Sequence, residues 1–365
     1  MHGDRFCRLW VAVLLLTLCL SASAVAQHYT RTDLTANSAA VSTGVIVDPN
    51  LVNAWGLSRA SGSPWWISDN GMGLSTLYDL TGAPQPLVVT IPPAKGQTGP
   101  SAPTGTVFNF TKSFEIAPGV PAVFLFVTED GTIAGWNPGV NPTSAVTKRD
   151  RSAVASYKGC AIAIAQSGPR FYATNFKTGM VEAFNAKLEF LQLSPTAFQD
   201  PSLPRDFVPF NIQNVGGNLV VTFAHRSPGE EDEDHGAGLG YVSIFDPSGR
   251  LLLRLQHGPW MNAPWGVTMA PSDFGAFSHR FLVGNFGDGT IHAFNAVSGK
   301  LVGTLLGDGD APIKIDGLWA ISFAGGNTRS GAANELYFTA GPNDENDGLF
   351  GKLAAAATEQ RGNTE

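Results

Sequence analysis

The chain has 365 residues, a formal net charge of −7 and only 15% charged residues. That length can bury a large core, and the acidic balance argues against nucleic acid or anionic lipid as a partner. Forty-two glycines and 24 prolines, with no long helical periodicity beyond the N-terminus, fit an all-β protein rich in tight turns.

Residues 1–26 read as a secretory signal peptide. Arg5 and Arg8 precede an apolar run over 9–20, and Ala24-Val25-Ala26 fits the small-x-small cleavage rule ahead of Gln27. No later stretch is long and apolar enough to cross a bilayer. These features predict export, to the periplasm or the medium, with no integral span after the leader is removed. Cys7 and Cys19 leave with the leader. Cys160 remains, in the apolar GCAIAIA, and reads as a buried, inert thiol in a domain without internal disulfides.

A folded domain is predicted over 27–354, with a flexible tail over 355–365. It opens on a short alternating strand in 28–38. Six hairpins then follow, each closed by a glycine. Gly73 is followed at the fifth and sixth positions by Tyr78 and Asp79, Gly131 by Trp136 and Asn137, and Gly179 by Phe184 and Asn185. Gly240 gives Phe245 and Asp246, and Gly289 gives Phe294 and Asn295. Gly348 gives Leu353 and Ala354, a degenerate sixth copy. Steps of 48 to 61 residues between these glycines suit four short strands per repeat, which is a propeller blade. The prediction is a six-bladed β-propeller of four-stranded antiparallel blades. The N-terminal strand is expected to pair with the last blade and close the ring, which removes a free edge.

Before each hairpin lies an apolar stretch suited to the inner strand: NAWGLS from Asn53, TGTVFN from Thr104, KGCAIAIA from Lys158, PFNIQNV from Pro209, NAPWGVTMA from Asn262 and DGLWAISFA from Asp316. The motifs NAWGLS, SPWWISDNGMGLSTLYD, NAPWGV, FLVGNFGDGTIHAFN, IDGLWAISF and LYFTAGPNDENDGLFG resemble an uncharacterised family of exported bacterial proteins. Some members of that family end in a Pro-Glu-Pro sorting tail, which this chain lacks. The resemblance implies a six-bladed propeller and an exported location, and it brings no activity.

In an antiparallel blade, the residue before the inner strand and the residue ending the second strand share one end of the axis. That predicts a polar axial mouth. Ligand-binding candidates are Asn53, Lys158, Asn175, Asn262, Asn285 and Asn343. Converging Asn and Asp oxygens suit a hard cation, so Asn53, Asn262 and Asp316 are expected as a calcium set. The competing reading is that Asn and Asp only form turns there. Asp69, Glu129 and Asp316 are the candidates for a catalytic base. The acidic stretch PGEEDEDHGAG over 228–238 is expected at the same mouth. No nucleophile elbow, zinc-protease helix motif, phosphate loop or zinc spacing occurs. Two functions follow. One is an interaction module for a small molecule, polysaccharide or protein. The other is a calcium-dependent, lactonase-like hydrolase.

Overall fold

The computed structural model describes residues 28–356. The expected leader and most of the expected tail lie outside the described residues. Six sheets of antiparallel blades surround one axis, and in five of them the strands follow the chain from inner to outer. The inner strands are Ala54–Ser58, Pro103–Phe108, Tyr157–Ala165, Phe207–Val215, Pro264–Met269 and Leu318–Phe323. They define blades one to six.

Strand pleating supplies the packing between blades. In blade two, Phe124 and Phe126 face blade one beside Trp66, while Leu125 and Val127 face blade three beside Ile162. Tyr172 of blade three turns to blade four, and its neighbours Phe171 and Ala173 turn back to blade two. Period-two alternation thus buries both faces of every blade.

The repeat register has a local cause. The aromatic at its fifth position is buried in all five regular copies and ends the third strand in four of them; in the fifth, Asn295 follows Phe294 as the last strand residue. The following Asp or Asn opens the turn to the fourth strand through its side chain. Asp79 Oδ1 accepts from the Thr81 and Ala83 amides, Asn185 Oδ1 from Lys187 and Glu189, and Asp246 Oδ1 from Ser248 and Arg250. The sixth copy lacks this residue because it needs no such turn. Its third strand, Leu349–Ala355, takes as its outer neighbour the N-terminal strand Tyr29–Ala36, with Thr32 opposite Lys352 and Tyr29 opposite Ala355. The ring is closed this way, and the strand Leu349–Ala355 runs one residue past the expected domain end.

Glycines set the inner radius. A Cβ at Gly266 would lie 2.6 Å from the Trp319 carbonyl oxygen of blade six, and one at Gly105 2.7 Å from the Cys160 amide of blade three. Adjacent inner strands approach this closely only without side chains there. An aromatic plug then fills the axis. Trp55 stacks on Trp319 at 3.6 Å between centroids, Phe286 stacks on Trp319 at 3.9 Å, and Trp265 meets both tryptophans edge-on. Cys160 is buried and free.

Candidate functional site at the axial mouth

The plug floors a polar layer at one end of the axis. Ala54 pairs with Asp69, Tyr157 with Asn175 and Pro264 with Asn285. Inner-strand starts and second-strand ends therefore share this end.

Lys158 is the centre of the layer. Its side chain is 2% exposed, yet its Nζ donates to Glu129 Oε1 at 2.5 Å and to Asp232 Oδ1 at 2.9 Å. The ammonium also lies 5.2 Å from the Trp55 ring centroid and 5.6 Å from that of Phe176. Burial alone would lower its pKa, but Glu129, Glu233 and Asp232 outweigh burial and raise it. The lysine stays charged.

From Glu129 a chain of side chains crosses the mouth. Asn70 Nδ2 donates to Glu129 Oε2 at 2.8 Å. Asn53 Nδ2 donates to Asn70 Oδ1 at 3.2 Å and to Glu345 Oε2 at 2.6 Å. Trp319 Nε1 donates to Asn53 Oδ1 at 2.9 Å, which ties the layer to the plug. Burial, reinforced by Glu233 and Glu129, pushes the Glu345 carboxyl up to about 7; Asn53 and Lys158 pull the other way.

Backbone strain presents Glu345. Asn343, Asp344 and Glu345 have φ of 58°, 49° and 64°, a left-handed run of three residues with side chains. Such residues cost roughly 1 kcal/mol or more each and persist where surroundings hold them. Asp316 supplies part of that hold by accepting the Asn343 amide at 3.0 Å, and Asn343 Nδ2 donates to Asp347.

The acidic stretch folds over the same mouth. Besides Asp232 on Lys158, the Glu233 side chain is only 4% exposed and lies 3.7 Å from His235. The His235 ring meets Phe286 edge-on at 4.9 Å. Asp234 takes His225 Nδ1 at 2.5 Å and the Ser227 hydroxyl at 2.9 Å, and Gly236 N donates to Asn262 Oδ1 at 2.8 Å. Beside it a cleft of about 930 Å³ runs between blades two, three and four, with Glu129 and Asp232 in its wall beside Arg205, Arg226 and Lys177.

The residues expected at the mouth therefore divide. Asn53, Glu129 and Lys158 share the network. Asn262 anchors the acidic loop, and Asp316 is exposed and steadies the loop that carries Glu345. The trio Asn53, Asn262 and Asp316 is spread over three separate tasks. Asn175 and Asn285 are fully buried turn residues, donating to the Val154 and Trp260 carbonyls. Asp69 occupies the same position in blade one and is also fully buried. Asn343 is exposed in the strained loop. Among the described residues, no group of three or more His, Cys, Asp or Glu is placed to hold a metal ion. No helix among them is long and apolar enough to cross a membrane. Sequence reasoning missed Glu345; its only signal was the run PNDEND over 342–347.

No family model matches the chain. Two uncharacterised proteins of Acanthamoeba polyphaga mimivirus do match it. One is 31% identical over 315 residues, covering 84% of this chain and 76% of the relative. The other is 30% identical over 318 residues, covering 84% and 81%. Among solved structures, a Bacteroides thetaiotaomicron protein of unknown function aligns with a TM-score of 0.56 and 11% identity, over 91% of this chain and 77% of that one. A glucose dehydrogenase aligns with a TM-score of 0.54 and 14% identity, over 90% and 100%. At such identities these two share the fold alone. The relatives correct the bacterial attribution drawn from the motifs: they are giant-virus proteins, and neither a bacterial origin nor a Pro-Glu-Pro relationship has support. The chain belongs to the family of these uncharacterised mimivirus proteins.

Proposed function

We propose that this member of the mimivirus-containing family is a ligand-binding propeller whose working surface is the Lys158 mouth and the adjoining cleft. The carrying observation is a charged lysine, 2% exposed, held against Glu129 and the loop residue Asp232 above an aromatic plug. A fold seldom needs a buried ion pair for stability, since apolar residues of similar size usually serve as well or better. The strained presentation of Glu345 supports the same reading. The cleft walls carry carboxylates, guanidinium groups, an ammonium and hydroxyls, which suits a polyhydroxylated small molecule or saccharide better than an apolar one.

Bound ligand must raise the melting temperature. A thermal-shift panel of mono- and oligosaccharides, with spermidine as a cationic control, should yield a saccharide that stabilises the parent protein. Glu129→Gln should lose that shift. A panel with no response, or one equal in the variant, removes the mouth as the binding surface.

The second reading, a calcium-dependent hydrolase, is favoured by one feature. The oxygens of Asn70, Glu129 and Glu345 gather at one end of the axis, and hard cations take oxygen ligands. In that reading Glu345, with its carboxyl near neutrality, is the acid–base group. Calcium titration followed by melting temperature separates the two readings, because only the second requires a shift. Export belongs to the proposal too. It rests on the leader pattern in 1–26, and N-terminal sequencing of the mature protein should begin at Gln27.

A further inference from the structure

The opposite end of the axis is built from different chemistry. There the six inner strands finish around a cavity of about 520 Å³, a volume within the range of small-molecule sites. Each blade contributes to its wall: Leu57, Val107, Ile162, Val215, Val267 and Ser322, in blade order. Phe110 stands at the cavity too, 53% exposed. A large exposed aromatic beside an apolar cavity costs solvation unless something covers it.

Polar side chains are interspersed with these apolar ones, Ser58, Gln213, Asn214 and Thr268 among them, and two further polar residues stand out. Thr106 is 8% exposed, and its hydroxyl is buried without a hydrogen-bond partner. Arg59 is the single charged residue in the wall, and no carboxylate lines it. Its Nε and Nη2 donate to the Phe323 carbonyl at 3.2 and 3.1 Å, and its guanidinium lies over Trp65 at 5.6 Å. These contacts fix the guanidinium in place. One cation in an otherwise uncharged cavity selects a ligand with one negative group.

We propose that this second axial cavity binds a small, mainly aromatic or aliphatic molecule bearing a single anionic group, independently of the Lys158 mouth. Anilinonaphthalene sulfonate has that chemistry, and phenylnaphthylamine is its neutral counterpart. Both should bind the folded protein saturably with one-to-one stoichiometry. Thr268→Trp, which fills the cavity from its wall, should abolish both. Arg59→Gln should weaken the sulfonate about tenfold and leave the neutral probe unchanged. Non-saturable binding, or unchanged binding in Thr268→Trp, overturns the site. Equal weakening of both probes by Arg59→Gln overturns the anionic preference.

Discussion

Two carboxyl groups near the mouth behave oppositely to surface acids, and each sets a test. Glu345 has its pKa raised to about 7 by burial first, then by Glu233 and Glu129. A raised carboxyl favours the fold while protonated. Its contribution is therefore complete below the unfolded value of 4.5 and is lost as pH rises through about 7. Glu345→Gln should flatten that decline and be more stable than the parent above pH 7, by at most about 3 kcal/mol. Urea unfolding at pH 5 and pH 8 checks this, and an equal difference at both pH values refutes it. Asp69 is fully buried, and burial pushes its carboxyl well up, with Thr76 opposing and Asp48 adding. Neither of its carboxyl oxygens has a hydrogen bond of good geometry. Blades three and five place Asn175 and Asn285 at this position, whose amides donate to backbone carbonyls. Asp69→Asn should therefore stabilise the protein at pH 7 by about 1–3 kcal/mol. A loss of stability would show that the buried acid is required.

At the scale of elements, the hairpins were legible and the mouth was only half so. The glycine–aromatic–Asx register survives in sequence because it is local: the aromatic fills one blade interface and the Asx closes the next turn within four residues. The degenerate sixth copy pointed to closure for the same reason. Glu345 was not legible, since it meets Asn53 across 292 positions and through a left-handed backbone that composition does not encode. Turn residues and site residues also look alike in sequence. Asn53 and Asn262 both precede a Trp-bearing inner strand, yet one joins the network and the other anchors a loop. That loop carries its own pH dependence. His225 sits between Asp234 and Asp206, at 2.5 and 2.9 Å; burial lowers its pKa, and both carboxylates together raise it. The tether is complete below the usual histidine value and is lost as pH rises through the raised one. Limited proteolysis within 228–238 should accelerate between pH 6 and pH 9, and His225→Gln should remove that change. A cleavage rate independent of pH in the parent would dismiss the tether.

The whole molecule is a ring with two unlike ends: a charged mouth on an aromatic plug, and beyond it a cavity whose single charge is Arg59. The ring is held by alternating apolar faces and a borrowed N-terminal strand, none of which requires a charge on the axis. The central claim is that the Lys158–Glu129 pair serves binding and not folding. The double variant Lys158→Met with Glu129→Leu tests it most directly, through its unfolding free energy in urea beside that of the parent. If the pair is functional, the apolar substitutes should leave stability equal or higher, because both desolvated charges are removed together. A loss of about 3 kcal/mol or more, with the denaturant slope unchanged, would make the pair a structural element and contradict the claim.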